Sequence, residues 1–414
     1  MLPLFKSVNT TLFTLFFLCY AYQLYFVLIR WLEPMRIQRP KKNHKYAVLI
    51  PARNESKVLS GLLDSIQAQD YPPELLDIYV IADNCTDNTA DLAKEFGAQV
   101  IHRNNLEKIG KGYALQHAFQ AIDQAMGIQH YDGYFVFDAD NQLDSQFVSE
   151  MNRVFNQGYV AVTSYRNSKN FDTNWLSAGY SLWFLRESFF INGARMLFGS
   201  SCAISGTGFL VSSKVIAELG GWPYHLLTED IQFTVEQVLQ GHKIGYAENA
   251  VLYDEQPIDF ATAWRQRLRW AKGFYQVLHR YGARLFKKAV FTQDFSSYDL
   301  LMTVAPAYLL TLGLWVFNLS FLIFALFTEN TLYVRAAIQS LVTGLTGAYL
   351  NLFFHGAVTT ITQWRKIRST PFRKLLYTFT FPLFLFTYIP ISWAALYKNV
   401  TWEPIKHVIT ERVA

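Results

Sequence analysis

The sequence predicts an α/β domain built on a mainly parallel sheet and inserted between membrane-spanning helices. Between Tyr46 and about Glu255, short apolar segments alternate with helix-periodic ones, the pattern of a parallel sheet covered by helices. Four runs, Ser7 to Ile29, Leu300 to Phe327, Ala336 to Trp364 and Leu375 to Tyr397, hold no formal charge, and each is long enough to cross a bilayer at ~1.5 Å per residue. Finally, Tyr134-Phe135-Val136-Phe137 ends abruptly in Asp138-Ala139-Asp140-Asn141. Such a run reads as a strand buried on both faces, and ligands of open α/β sheets gather outside the carboxyl ends of the strands.

Composition narrows the class. Of 414 residues, 51% are hydrophobic, 16% aromatic and only 17% charged, which is too apolar for a typical soluble protein. A net charge of +5 gives no support to a nucleic-acid partner. Cys19, Cys85 and Cys202 are far apart and fit neither a metal cluster nor a disulfide framework.

The chain divides, in order, into a transmembrane helix (1–33), a basic linker (34–45), the α/β domain (46–257), amphipathic helices (258–298), three spans (299–400) and a tail (401–414). The first run has no small-residue cleavage site before Arg30, so it reads as a retained helix rather than a signal peptide. Arg30, Arg36, Arg39, Lys41, Lys42 and Lys45 follow it against one acid, Glu33. Arg365, Lys366, Arg368, Arg373 and Lys374 fill the last connection. Both flanks are therefore expected on the cytoplasmic side, with the α/β domain, and both termini outside.

Within the domain, Ala47 to Ile50 and Ile78 to Ala82 read as strands, the second ending in Asp83. Asn54 is expected to cap the helix whose apolar positions are Val58, Leu59, Leu62, Leu63 and Ile66, and Gly97 to stop the next one. Gly110-Lys111-Gly112 precedes a helix; it is either a pyrophosphate-binding turn or a plain loop. Trp175 to Phe198 is apolar but interrupted by Arg186 and Glu187, so it reads as a membrane-surface helix, an acceptor-groove helix or a core helix. Ile258 to Tyr281 is basic and aromatic, and Gln266, Arg269 and Trp270 share one helical face. Such a helix is usually a membrane-surface element.

An extended chain would point Asp138 and Asp140 the same way, and two hard carboxylates suit Mg²⁺ or Mn²⁺ completed by substrate phosphates. An isolated DxD is a common acidic turn. Here it stands in an ordered set: Asp83, the DxD, Thr228-Glu229-Asp230, and Gln266-Arg267-Leu268-Arg269-Trp270.

This set, with a span before the domain and a bundle after it, resembles the processive family-2 glycosyltransferases: cellulose, chitin, hyaluronan and poly-N-acetylglucosamine synthases. The resemblance covers nearly the whole chain. It implies a GT-A fold, a nucleotide-sugar donor (UDP-glucose or UDP-N-acetylglucosamine), inversion at the anomeric carbon, and a growing polysaccharide or glycan acceptor beside membrane lipid. By position, Asp83 would contact the nucleotide base and Lys111 the pyrophosphate. Asp138 and Asp140 would hold the metal and donor, and Asp230 would be the general base. Glu229 and Trp270 would serve the acceptor, with Gln266 and Arg269 at the diphosphate. Asp83-Asn84-Cys85 departs from the acid-glycine-serine turn of many relatives. Four spans are few for a polysaccharide channel, so an accessory subunit or homodimer is expected. A non-processive relative adding one sugar to a lipid or short glycan is the rival reading. A scaffold would not need four intact motifs, and no G-x-G-x-x-G follows the first strand as a dinucleotide enzyme requires.

Overall fold

The computed structural model describes residues 1–35, 37 and 40–403, excepting the side chains of residues 306–308. Arg36 and Arg39 of the basic flank and the tail from Pro404, with Ile405, Lys406 and His407, lie outside the described residues. The chain forms two compact units. The α/β unit comprises Arg30–Asn170, Glu187–Pro257 and the described start of the tail from Thr401. The helical unit comprises Met1–Ile29, Phe171–Arg186 and Ile258–Val400.

Eight strands form one sheet in the α/β unit: β1 Tyr46–Ala52, β2 Leu76–Asp83, β3 Gln99–Arg103, β4 Gly133–Val136, β5 Gln142–Leu143, β6 Ala161–Ser168, β7 Phe209–Ser212 and β8 Ile244–Asp254. Their order is β3-β2-β1-β4-β7-β6-β8-β5. The β3-β2-β1-β4 half is parallel, as the alternation with helices requires. Beyond it the sheet is mixed: β7 runs antiparallel to both β4 and β6, β8 is parallel to β6, and β5 is antiparallel to β8. The apolar stretches of β1, β2 and β4 are largely buried. Val48, Ile50, Val80, Phe135 and Phe137 share one core cluster with Leu62, Leu63, Phe147 and Met151, each large side chain contributing about 1.5–3 kcal/mol relative to exposure.

Register aligns the functional ends. Tyr46 pairs with Leu76 and with Gly133, so β1, β2 and β4 finish on the same edge of the sheet. Asp83 is the direct partner of Arg103. The chain leaves β4 through a turn in which the Asn141 N–H donates to the Asp138 carbonyl at 3.1 Å. Extended-strand alternation therefore does not apply to Asp138 and Asp140, and the two carboxylates meet different partners. Asn54 does not cap a helix either. It adopts a φ of 59°, and its side chain accepts the Thr86 N–H at 2.7 Å, tying the loop after β1 to the loop after β2. Helix Leu59–Gln67 starts at Val58 without a side-chain cap.

In the helical unit, four helical segments among the described residues are long and apolar enough to cross a membrane: Leu2–Leu32, Leu309–Phe327, Thr331–Thr362 and Pro371–Tyr397. The charge-free run from Leu300 to Phe327 is not one helix. It breaks at Ala305 between Phe295–Val304 and Pro306–Phe327, because proline lacks the donor and clashes with the preceding turn. Trp175–Arg186 is a largely buried helix, the core alternative of its three readings. The basic segment is one long helix, Phe260–Phe291.

Gly208 gives a direct test of the α/β packing. Its φ is +65°, and an added Cβ would overlap the Leu252 side chain and meet Ser164 Oγ at 2.6 Å. Gly208→Ala is expected to cost at least about 2 kcal/mol through combined backbone strain and overpacking. Thermal unfolding of the detergent-solubilised protein measures it, and an unchanged Tm contradicts this packing.

Candidate active site

Asp83 ends β2 with only 5% of its surface exposed. Arg103 Nη1 donates to its Oδ1 at 2.5 Å and Asn84 Nδ2 at 2.9 Å. Arg103 also donates to the Lys108 carbonyl, while Asn84 and Asn105 exchange two hydrogen bonds, 3.1 and 2.8 Å. One buried ion pair thus fixes the loops after β2 and β3 together. Burial pushes the Asp83 carboxyl up from its usual range, opposed by Arg103 and by the charge of Arg53. Asn84 takes a φ of 54°, which asparagine tolerates. Cys85 is fastened rather than reactive: its Sγ donates to the Ala52 carbonyl at 3.3 Å, and burial raises its thiol pKa.

The second group gathers at the end of β4. Lys111 opens helix Lys111–Met126. Gly112 cannot carry a Cβ without overlapping the Tyr224 carbonyl, which gives the second glycine a packing reason beside any ligand role. From this fixed start, Lys111 Nζ donates to Asp138 Oδ1 at 2.6 Å and to the Gly206 carbonyl at 2.8 Å. The Asp138 N–H donates to Thr207 Oγ1 at 2.8 Å, and Thr207 in turn donates to Asn141 Oδ1 at 2.5 Å. Asp140 is buried and accepts the Glu255 N–H at 3.0 Å and Asn141 Nδ2 at 3.3 Å. Asn141, completely buried, therefore braces the turn from both sides.

Asp230, in the first turn of helix Glu229–Leu239, completes the group. Its Oδ2 accepts the Gly206 N–H at 2.6 Å. One residue, Gly206, thus meets Asp230 with its amide and Lys111 with its carbonyl. Neighbouring Ser205 is held from behind, its carbonyl by Arg166 at 3.0 Å and its hydroxyl by Glu187 at 3.3 Å. Arg166 also binds Asp254 at the end of β8, Nε to Oδ2 at 2.7 Å. Burial raises the Glu187 carboxyl against the opposing charges of Arg195 and Arg166, with Asp230 adding to the rise. Burial likewise pushes Asp254 up to about 6, Arg166 opposing and Asp140 adding. Glu229 is buried, and Thr228 Oγ1 is buried without a hydrogen-bond partner.

The α/β unit therefore joins Lys111, Asp138 and Asp230 around the Gly206 loop, with Asp140 on the same turn as Asp138 and Asp83 at the end of β2, one strand beyond β1. Gln266, Arg269 and Trp270 belong to the helical unit, on helix Phe260–Phe291. All three are half-buried. Trp270 packs edge-to-face with Tyr180 and Phe184, at centroid distances of 5.8 and 6.1 Å. Gly206, Arg103, Asn141, Arg166 and Asp254 were not singled out from sequence, and only register and loop closure reveal them. The tail also contributes: Arg53 lies over the Trp402 ring at 5.8 Å.

Among the described residues no group of three His, Cys, Asp or Glu side chains could enclose a metal. Two hard carboxylates at a strand end fit a Mg²⁺ or Mn²⁺ that takes its other ligands from water and phosphates.

A mixed sheet of this order, with acids at the carboxyl ends of its strands, is a GT-A-like domain. Residues 43–273 match the profile described as glycosyltransferase like family 2. The chain belongs to that family. It is 28% identical over 280 residues to the probable glycosyltransferase YdaM of Bacillus subtilis, covering 62% of this chain and 60% of the relative. It is 26% identical to a beta-monoglucosyldiacylglycerol synthase of Nostoc sp., over 64% of this chain and 56% of the relative. To the poly-beta-1,6-N-acetyl-D-glucosamine synthase of Staphylococcus aureus (strain COL) it is 29% identical, over 56% and 55%. The chain thus spans less than two thirds of the length of these relatives. In structure it is similar to a mannosyltransferase, PcManGT from Pyrobaculum calidifontis in complex with GDP-Man and Mn²⁺. The TM-score is 0.57 at 16% identity, over 95% of this chain and 99% of that one, a likeness of fold.

Arg103→Leu leaves Asp83 buried without its ion-pair partner, with an expected cost of about 3–5 kcal/mol. Chemical denaturation measures this. The double variant Asp83→Asn/Arg103→Leu should recover part of the loss.

Proposed function

We propose that this chain is an inverting, metal-dependent hexosyltransferase of the membrane, which transfers sugar from a UDP-sugar to a growing β-linked polysaccharide. The observation that carries a transferase reading is the joining of Lys111, Asp138 and Asp230 through Gly206. In this reading Asp83 contacts the nucleotide base and Lys111 the diphosphate. Asp138 and Asp140 would hold Mg²⁺ or Mn²⁺, whose charge, when bound, stabilises the leaving diphosphate.

The acceptor hydroxyl attacks the anomeric carbon from the face opposite the diphosphate; its C–O bond forms as the bond to phosphate breaks. Asp230 accepts the hydroxyl proton. Its Oδ2 accepts the Gly206 N–H at 2.6 Å, which fixes the carboxylate at the start of helix Glu229–Leu239. Arg269 and Gln266 are proposed at the diphosphate, and Glu229 and Trp270 at the acceptor, on the sequence pattern. The basic flanks support a cytoplasmic catalytic domain in a multi-pass cell-membrane protein, with an accessory subunit or second copy completing a channel.

The second reading is transfer of one sugar to a lipid. The similarity to a beta-monoglucosyldiacylglycerol synthase favours it. Incubation of the purified protein with radiolabelled UDP-sugars, diacylglycerol and Mg²⁺ or Mn²⁺, followed by product sizing, separates the two. Long product supports polymerisation, whereas a singly glycosylated lipid under every donor overturns it. In either case Asp230→Asn keeps an acceptor for the Gly206 amide but loses the base. Donor binding should persist while turnover falls ~10²–10⁴-fold; near-normal turnover at saturating substrate removes Asp230 from this role. For the polymer reading, Trp270→Ala should shorten or abolish product while UDP binding persists, because an indole face holds a sugar by stacking and apolar contact.

A further inference from the structure

We propose that Lys111 and the divalent cation compete for Asp138, so that Lys111 keeps the cation site weak until a diphosphate draws the lysine away. This rests on the reading of Asp138 and Asp140 as the cation site. The Lys111 ammonium is 2.6 Å from Asp138 Oδ1 and 2.8 Å from the Gly206 carbonyl. Its side chain is 13% exposed, whereas that of Asp138 is 43% exposed. Asp138 is thus open to solvent, but one of its oxygens is held by a covered ammonium. A hard cation binds a carboxylate oxygen at about 2.0–2.1 Å, which would bring two positive charges within a few ångströms of each other. Like charges at that separation oppose one another strongly in a partly desolvated site.

Asp140 offers no independent route. It is buried, and its Oδ2 already accepts the Glu255 N–H at 3.0 Å. The lysine, in contrast, can leave without moving the backbone. Helix Lys111–Met126 is held at its start by the close approach of Gly112 to the Tyr224 carbonyl, so only the four-carbon stem has to swing. An ammonium binds phosphate as a mobile point charge. Diphosphate and cation should therefore raise each other's affinity by the same factor, beyond their direct contact, because the diphosphate removes the competitor. The same swing releases the carbonyl of Gly206, the residue whose amide Asp230 holds.

Mn²⁺ binding to the full-length protein in detergent, followed by the paramagnetic resonance of free Mn²⁺, tests this without turnover. Lys111→Met should bind Mn²⁺ alone on the order of tenfold more tightly than wild type, from the removal of one adjacent positive charge. The enhancement of Mn²⁺ binding by UDP should shrink in the same variant. Lys111→Gln serves as a second neutral variant if the first fails to fold, and Lys111→Arg, which keeps the charge, should stay near wild type. Equal or weaker Mn²⁺ binding by the folded neutral variants overturns the competition. Asp138→Asn separates the two levels. If it binds Mn²⁺ as wild type does, the cation-site reading itself fails. If it loses Mn²⁺ while the neutral Lys111 variants gain nothing, the cation-site reading stands and the competition is wrong.

Discussion

The candidate site hangs on the peptide unit around Gly206. Its amide is committed to Asp230 and its carbonyl to Lys111, which holds Asp138. Three segments far apart in sequence are thereby held by charge-assisted hydrogen bonds, which are roughly twice as strong as neutral ones. Position alone does not secure such a loop. Thr207 supports the Asp138 amide, Arg166 the Ser205 carbonyl and Glu187 the Ser205 hydroxyl. Gly208 permits the loop to enter β7 against Leu252, where no side chain fits. The chemistry proposed for this protein requires donor, base and leaving-group charges to be aligned before reaction, and on that proposal this loop would align them.

Much of the architecture was legible in the sequence because it is local. The buried strands β1, β2 and β4 announce themselves as apolar runs, the four charge-free runs as candidate spans, and Asp83, the DxD and Asp230 as acids at element ends. What escaped is set by pairing across distance. The pattern of Phe209 to Val211 marks a strand but not its antiparallel place between β4 and β6, which makes the far half of the sheet mixed. Arg103 is an unremarked basic residue until register sets it opposite Asp83. Asn54 has the composition of a helix cap, yet its side chain does better by accepting the Thr86 amide from another loop. Gly206 has no side chain to mark it, and its role lies wholly in its backbone.

Helix Phe260–Phe291 shows how a charge pattern can mislead about a single residue. Arg265 and Arg269 lie one turn apart on one side of it, whereas Arg267, two residues from each, points to the opposite side. Arg267 is fully buried within the helical unit. Its guanidinium stacks over Tyr180, Phe384 and Tyr388 and donates to the Phe384 carbonyl at 3.2 Å and Thr387 Oγ1 at 2.5 Å. Those acceptors lie where helix Pro371–Phe386 ends and Tyr388–Tyr397 begins, so the arginine satisfies a carbonyl that the break exposes. Lys272 does the same for the Ala395 carbonyl at 3.0 Å. The guanidinium of Arg267, a weakly hydrated and planar cation, is suited to such burial.

The α/β unit gathers acids and buried cations at one end of its sheet, and their mutual influence sets the electrostatics of the site. Asp138, Asp140, Asp230, Glu187 and Asp254 lie near Lys111, Arg166 and Arg195. Asp140 and Asp138 act on Asp254, and Asp230 on Glu187. Lys169 feels the same field. Burial lowers its pKa while Asp140, Glu255 and Asp254 pull it back up. Burying charge is costly unless it is paired, so an arrangement of this kind is stabilised most by a further positive charge beside Asp138 or Asp140.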